Sequence, residues 1–186
     1  MGTNAEQAWS VYQRAELIYS RDEINLALDL IAKDISQTLS ESDPLVLCVM
    51  TGGLMTASEI LLRMDFPLEV DYIHATRYGL ETQGQKLKWI ASPRKPLVNR
   101  NILVIDDILD EGHTLEAILN FCREEGASSV YSAVLVQKEH DRNTGLKKAD
   151  FTAMSVPDRY VFGFGMDYKG YLRNIPVIMA AHRDDE

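Results

Sequence analysis

At 186 residues the chain is most simply a single domain, long enough for a substantial core. Hydrophobic residues make up 46% and charged residues 25%, the balance of a globular protein, and no apolar run spans a bilayer or follows a charged leader, so neither a membrane partner nor a signal segment is expected. The net charge of −9 argues against nonspecific nucleic-acid binding, which needs a basic surface, but permits a polyphosphate ligand held by amides, a few cations and a metal ion.

Ser20-Arg21-Asp22-Glu23 reads as a capping box, with Ser at the N-cap and Glu three residues on. Behind it Ile24, Leu28, Ile31 and Ile35 share one helical face. Leu45 to Met50 is a short apolar strand closed by Thr51-Gly52-Gly53, and Ala57, Ile60, Leu61 and Met64 recur at helical spacing. Leu68 to His74 alternates as a strand does, with Val70, Tyr72 and His74 on one side. Residues 77 to 86 lose periodicity and gain Gly79, Thr82, Gln83 and Gly84, the composition of a mobile loop. Leu87 to Ile90 is placed to pair back as a strand, and Pro93 to Pro96 turns the chain toward the strand at Asn101.

Leu115, Ile118, Leu119 and Cys122 form the next helical face, stopped by Gly126. Val130 to Val136 is another apolar strand, and Phe151, Val161 and Phe162 mark short strands or hood-like segments. Alternating strands and helices predict an α/β fold, a mostly parallel twisted sheet flanked by helices. Cys48 and Cys122 fall in a strand and on a helix's apolar side. They read as buried thiols rather than a disulfide, which suits a cytoplasmic protein.

The most informative stretch is Asn101 to Leu115. An apolar run leads into Asp106-Asp107, then Asp110-Glu111-Gly112-His113-Thr114 and a helical pattern. A buried parallel strand reads as a near-continuous apolar run, and open α/β sheets bind ligands at its carboxyl end. Unpaired N–H groups in the first turn of the following helix attract phosphate, while the acids suit ribose hydroxyls, a metal or a proton. Taken alone, Asp106-Asp107 also reads as a solvated acidic turn, and Asp110 as a carboxylate stabilised by a helix macrodipole.

This segment resembles the 5-phosphoribosyl-1-pyrophosphate (PRPP) signature of the type I phosphoribosyltransferases. Met50-Thr51-Gly52-Gly53, Arg77-Tyr78-Gly79, Lys138 after an apolar strand, Pro157 to Gly163, Met166-Asp167-Tyr168 and Arg173 follow in order and narrow the resemblance to the hypoxanthine-guanine branch. It implies the type I fold in one domain over 1–186, with a small hood from the N-terminal helix and residues from about 150 to 186. The activity implied is purine salvage: transfer of the phosphoribosyl group of PRPP to hypoxanthine or guanine, giving IMP or GMP and pyrophosphate. Mg²⁺ is the implied cofactor, and a homodimer or homotetramer the implied assembly.

The same resemblance implies residue roles. Asp106 and Asp107 would hold the ribose hydroxyls and, with Asp167, serve the metal. Asp110 would accept the purine N7 proton, and the run from Asp110 through Glu111, Gly112, His113 and Thr114 would cradle the 5′-phosphate. Thr51, Gly52 and Arg173 would bind pyrophosphate, with a cis Met50–Thr51 peptide. Arg77 and Tyr78 would belong to a closing lid. Lys138 would read the purine O6, Tyr160 would stack on the base, and Val161 and Asp167 would meet its edge. Three departures from the common pattern stand out: Thr51 in place of Lys, Arg77 in place of Ser, and Glu111 in place of Thr. A xanthine-preferring enzyme would share every motif. A nucleotide-sensing regulator would keep the fold without useful catalysis. No G-x-x-x-x-G-K-[ST] or G-x-G-x-x-G is present to support a P-loop enzyme or a dehydrogenase.

Overall fold

A computed structural model describes residues 4–77, 87–140, 142 and 145–185, with the backbone alone at Arg77 and Leu87. Six strands form the main sheet: β2 (Leu45–Val49), β3 (Glu69–Arg77), β4 (Leu87–Ala91), β5 (Asn101–Leu109), β6 (Ser129–Glu139) and β7 (Phe151–Pro157), in the order β4-β3-β2-β5-β6-β7. All neighbours are parallel except β3 and β4, which form the antiparallel edge. The sheet is the mostly parallel α/β arrangement expected from the alternating pattern.

Helices cover both faces, which is why the central strands are apolar without alternation. On one face α2 (Arg21–Leu39) and α3 (Gly53–Leu61) pack Ile24, Leu28, Ile31, Ile35 and Ile60 against Val46, Leu103, Ile105 and Leu135. On the other, α4 (His113–Glu124) packs Leu115, Ile118, Leu119 and Cys122 against Leu45, Leu47, Ile102 and Val104. Trp89 of β4 lies against Phe121 of α4, ring centres 4.7 Å apart. The capping box forms, with Ser20 and Glu23 satisfying each other's backbone N–H. Both cysteines are free and buried; burial pushes the Cys48 thiol up to about 11 and the Cys122 thiol up to about 12.

A second, smaller sheet is antiparallel, in the order β1-β9-β8, from β1 (Glu16–Tyr19), β8 (Val161–Phe162) and β9 (Ile178–Ala180). Helix α1 (Asn4–Arg14) buries Ala8 and Val11 against Phe162, Tyr168, Met179 and Ala181. The expected hood boundary near residue 150 is too early. Phe151 to Pro157 pairs with β6 in the main sheet, so the C-terminal part of the smaller unit begins after Pro157. Of β3, Val70 and Tyr72 do share a side, but it is the open one, at 47% and 44% exposure. Among the described residues, no helix is long and apolar enough to cross a membrane.

Candidate active site

The carboxyl ends of β2, β3 and β5 and the N-terminus of α4 surround a cavity of about 370 Å³. Thr51, Gly52, Asp106, Asp107, Asp110, Glu111, Gly112, Thr114, Asp167 and Arg173 line it, together with His74, Ala75 and Thr76 of β3. Residues from four separated parts of the chain thus meet where an α/β sheet places its ligand.

Local geometry explains the sequence here. Gly112 is the N-cap of α4 with φ of 77°, and a Cβ on it would come within 2.2 Å of the Leu146 carbonyl oxygen. Only glycine accommodates both constraints. The Met50–Thr51 peptide is cis, at the position the resemblance implied. Gly52 follows, and a Cβ there would lie 2.1 Å from Asp107 Oδ2. The absent side chain is what lets the loop after β2 close on the carboxylate at the end of β5.

Asp106 and Asp107 stay within β5, which runs on to Leu109. At 9% and 7% exposure they are not a solvated acidic turn. The Asp107 N–H donates to Asp106 Oδ1 at 2.9 Å, and the Ile108 N–H to Asp107 Oδ1 at 2.8 Å. Burial pushes both carboxyls above the ordinary range, Asp106 furthest, because the Asp107 charge adds to the desolvation; the Arg173 charge opposes the rise in both. Arg173 itself donates to the Gly165 carbonyl at 2.6 Å and pairs with Asp167 at 2.7 Å.

Asp110 is the hub of a second cluster. Lys138 Nζ lies 2.8 Å from its Oδ2, Arg142 3.0 Å from its Oδ1, and His140 Nε2 3.3 Å from the same Oδ1. Arg142 also pairs with Asp158 at 2.9 Å. Burial works to raise Asp110, but the Lys138 hydrogen bond and the charges of Lys138 and Arg142 outweigh it, with His140 beside them, and hold the carboxyl below its ordinary range.

Among the described residues, four of the expected site positions are not on the wall of this cavity: Lys138, which borders it through Asp110, and His113, Tyr160 and Val161. His113 is exposed and does not line the cavity, because as the first residue of α4 its side chain turns to the Gly145 segment. Tyr160 and Val161 do not line it either. Tyr160 meets Tyr168 edge-on at 5.3 Å, and Val161 is buried in the smaller sheet opposite Ala180. The lid assignment falls on Tyr78 and the side chain of Arg77, outside the described residues.

The sequence matches the phosphoribosyl transferase domain over residues 16–169. The chain belongs to the phosphoribosyl transferase family. Among similar proteins, the hypoxanthine-guanine phosphoribosyltransferase of Bacillus subtilis (strain 168) is 30% identical over 164 residues, covering 88% of this chain and 91% of that one. The hypoxanthine-guanine-xanthine phosphoribosyltransferase of Tritrichomonas foetus is 27% identical over 162 residues, 87% of this chain and 88% of that one. A solved hypoxanthine-guanine-xanthine phosphoribosyltransferase structure matches with a TM-score of 0.82 at 26% identity, covering 90% of this chain and 97% of that chain.

Within this phosphoribosyltransferase, His140, Arg142 and Asp158 are site neighbours to which sequence reasoning gave no role. A signal existed for the first two. Lys138, His140 and Arg142 are spaced by two, and alternate residues of an extended chain face one way.

Proposed function

We propose that this phosphoribosyltransferase moves the phosphoribosyl group of PRPP onto N9 of hypoxanthine or guanine, giving IMP or GMP and pyrophosphate. The observation that carries the reading is that one cavity holds a helix N-terminus, a buried carboxylate pair and the Arg173 guanidinium side by side. Each matches one part of PRPP. The 5′-phosphate suits the amides at the start of α4 and the Thr114 hydroxyl. The ribose diol suits Asp106 and Asp107, since carboxylates accept from hydroxyls. The pyrophosphate suits Arg173 and the Thr51-Gly52 backbone.

Asp106 and Asp107 also fit Mg²⁺. Both are buried and carry raised proton affinity, so a cation would relieve their mutual repulsion. Among the described residues no group of three or more His, Cys, Asp or Glu forms a metal cage, which agrees with an ion that takes few protein ligands and completes its shell with phosphate oxygens and water. Bound there, Mg²⁺ would neutralise charge on the departing pyrophosphate. Asp167, already paired with Arg173, would orient that arginine.

In the chemical step N9 attacks C1′ as the bond from C1′ to the pyrophosphate oxygen breaks. The N7 proton passes to Asp110 Oδ2, and the carboxylate stabilises positive charge at C1′. Lys138 leaves Oδ2 to donate to the purine O6, a contact that favours a 6-oxopurine over a 6-aminopurine. Tyr160 would stack on the base and Val161 would meet its edge; both follow closely on Asp158, which stands 4.0 Å from Lys138. The name of the Tritrichomonas relative includes xanthine, so xanthine is the first alternative base to test.

The assembly we propose is a homodimer or homotetramer, and the exposed apolar side chains Leu54, Val70 and Tyr72 border a second hollow of about 640 Å³ beside Met50. Two buried free thiols suit a reducing cytoplasm. The functional test supplies PRPP and Mg²⁺ with hypoxanthine, guanine, xanthine or adenine separately and follows nucleotide and pyrophosphate. Turnover of hypoxanthine and guanine with adenine inert supports the proposal, and dominant xanthine turnover replaces it with the sister specificity. Tight PRPP binding without turnover of any base would instead favour a regulator.

A further inference from the structure

We propose that His140 is a positioning residue for the transfer reaction: it pins one oxygen of the Asp110 carboxylate so that the other is presented to the incoming purine. The inference rests on the phosphoribosyl-transfer reading of this cavity.

The His140 side chain is only 9% exposed. Its Nε2 lies 3.2 Å from the Asp110 carbonyl oxygen and 3.3 Å from Asp110 Oδ1. Both partners are acceptors, so Nε2 carries the proton. Nδ1 is buried with no hydrogen-bond partner among the described residues, and a bare nitrogen is better tolerated there than an orphaned N–H. The N–H therefore bonds the Asp110 main-chain oxygen, and the buried ring stands 3.3 Å from Oδ1 of the same residue, which limits the rotation of the Asp110 side chain relative to its own backbone.

The two carboxylate oxygens are divided between different kinds of partner. Oδ2 faces Lys138 at 2.8 Å, while Oδ1 faces His140 and Arg142. Lys138 is the arm that departs when the base arrives. Arg142 is 45% exposed and shared with Asp158, and an exposed pair of this kind holds weakly. His140 is the buried member that stays. Near-attack geometry tolerates little error, since a displacement of about 1 Å costs on the order of 100-fold in rate. The titratable and charged groups facing this carboxylate are thus Lys138, His140 and Arg142, with Asp158 beyond them, 4.0 Å from Lys138.

The test compares three variants of the full chain. Glutamine extends an N–H to the place of the imidazole Nε2, asparagine reaches only the place of Nδ1, and leucine offers neither. At saturating PRPP and hypoxanthine, H140L and H140N should lower kcat by about 10- to 100-fold with the KM for PRPP within about two-fold of wild type. H140Q should return kcat to within about three-fold. A second readout needs no turnover: the carboxyl carbon of Asp110, followed by NMR in the free protein, should titrate at higher pH in H140L and H140N and at an unchanged pH in H140Q. Wild-type kcat in H140L, equal losses in H140Q and H140L, or an unmoved Asp110 titration in H140L overturns the positioning role. A wild-type protein inactive with every purine, but with the titration shifted as stated, would sink the transferase reading and leave the clamp on Asp110 standing.

Discussion

Lys138 Nζ and Asp110 Oδ2 form a 2.8 Å ion pair although they stand 28 residues apart in the chain. The parallel register of β5 and β6 makes the pairing, because Leu109, the last residue of β5, lies opposite Gln137 and the residue after each, Asp110 and Lys138, closes the contact. In the proposed reaction these two side chains part, one to the purine O6 and one to its N7 proton.

Removing the cation therefore acts on substrate choice. K138Q is expected to lower kcat/KM for hypoxanthine by about 100-fold, with adenine much less affected, so the ratio between the two bases collapses. Steady-state kinetics on both bases checks this; an unchanged ratio removes Lys138 from base recognition.

Asp106 carries a cost in the free protein. Burial and the neighbouring Asp107 charge raise its native carboxyl well above the ordinary value, so the folded state binds its proton more tightly than the unfolded chain. Between the unfolded value of about 3.9 and the raised native value, stability falls as pH rises. D106N is expected to flatten that fall and raise Tm at neutral pH, by about 2–4 °C for each kcal/mol relieved in a chain of this size. The same variant should bind PRPP more weakly. A lower Tm for D106N across neutral pH would contradict the assignment of burial as the cause.

Two glycines with positive φ separate backbone strain from site geometry. Gly165 has φ of 103°, and a Cβ on it would lie 2.2 Å from the Gly52 carbonyl oxygen; Gly170 has φ of 88° with nothing within 4 Å. G170A should cost about 1 kcal/mol of stability and leave PRPP affinity intact. G165A should cost more and weaken PRPP binding by about ten-fold or greater, since it displaces the loop at Thr51-Gly52. Chemical denaturation and PRPP titration of both variants decide, and equal PRPP affinities would show that the Gly52 contact does not shape the site.

Local signals carried much of this architecture. The capping box at Ser20, the helical face from Ile24 to Ile35 and the stop at Gly126 depend on neighbours a few residues away, and each formed as the pattern implied. The apolar runs at Leu45 and Ile102 were legible because both sheet faces are buried. Asp106 and Asp107 looked like a strand end, yet β5 continues through them: Asp106 still pairs with Val134 and Ile108 with Val136, so the carboxylates enter the cavity without breaking the ladder. Non-local pairing was not legible. β1 finds β9 about 160 residues later, Glu16 opposite Ala180, and nothing near either segment encodes the partner. Tyr160 illustrates a different limit: its place in the motif was plain, but its contact with Tyr168 depends on how the smaller sheet packs.

The most direct measurement is a single-turnover rate for D110N beside wild type, with PRPP, Mg²⁺ and hypoxanthine saturating. Asparagine keeps the shape of Asp110 and can still meet His140 and Arg142 through its carbonyl oxygen, but it cannot take the N7 proton. The expected D110N rate is lower by about 100-fold or more with PRPP affinity nearly unchanged. A D110N rate equal to wild type would contradict it and move the proton acceptor to another group in the cavity.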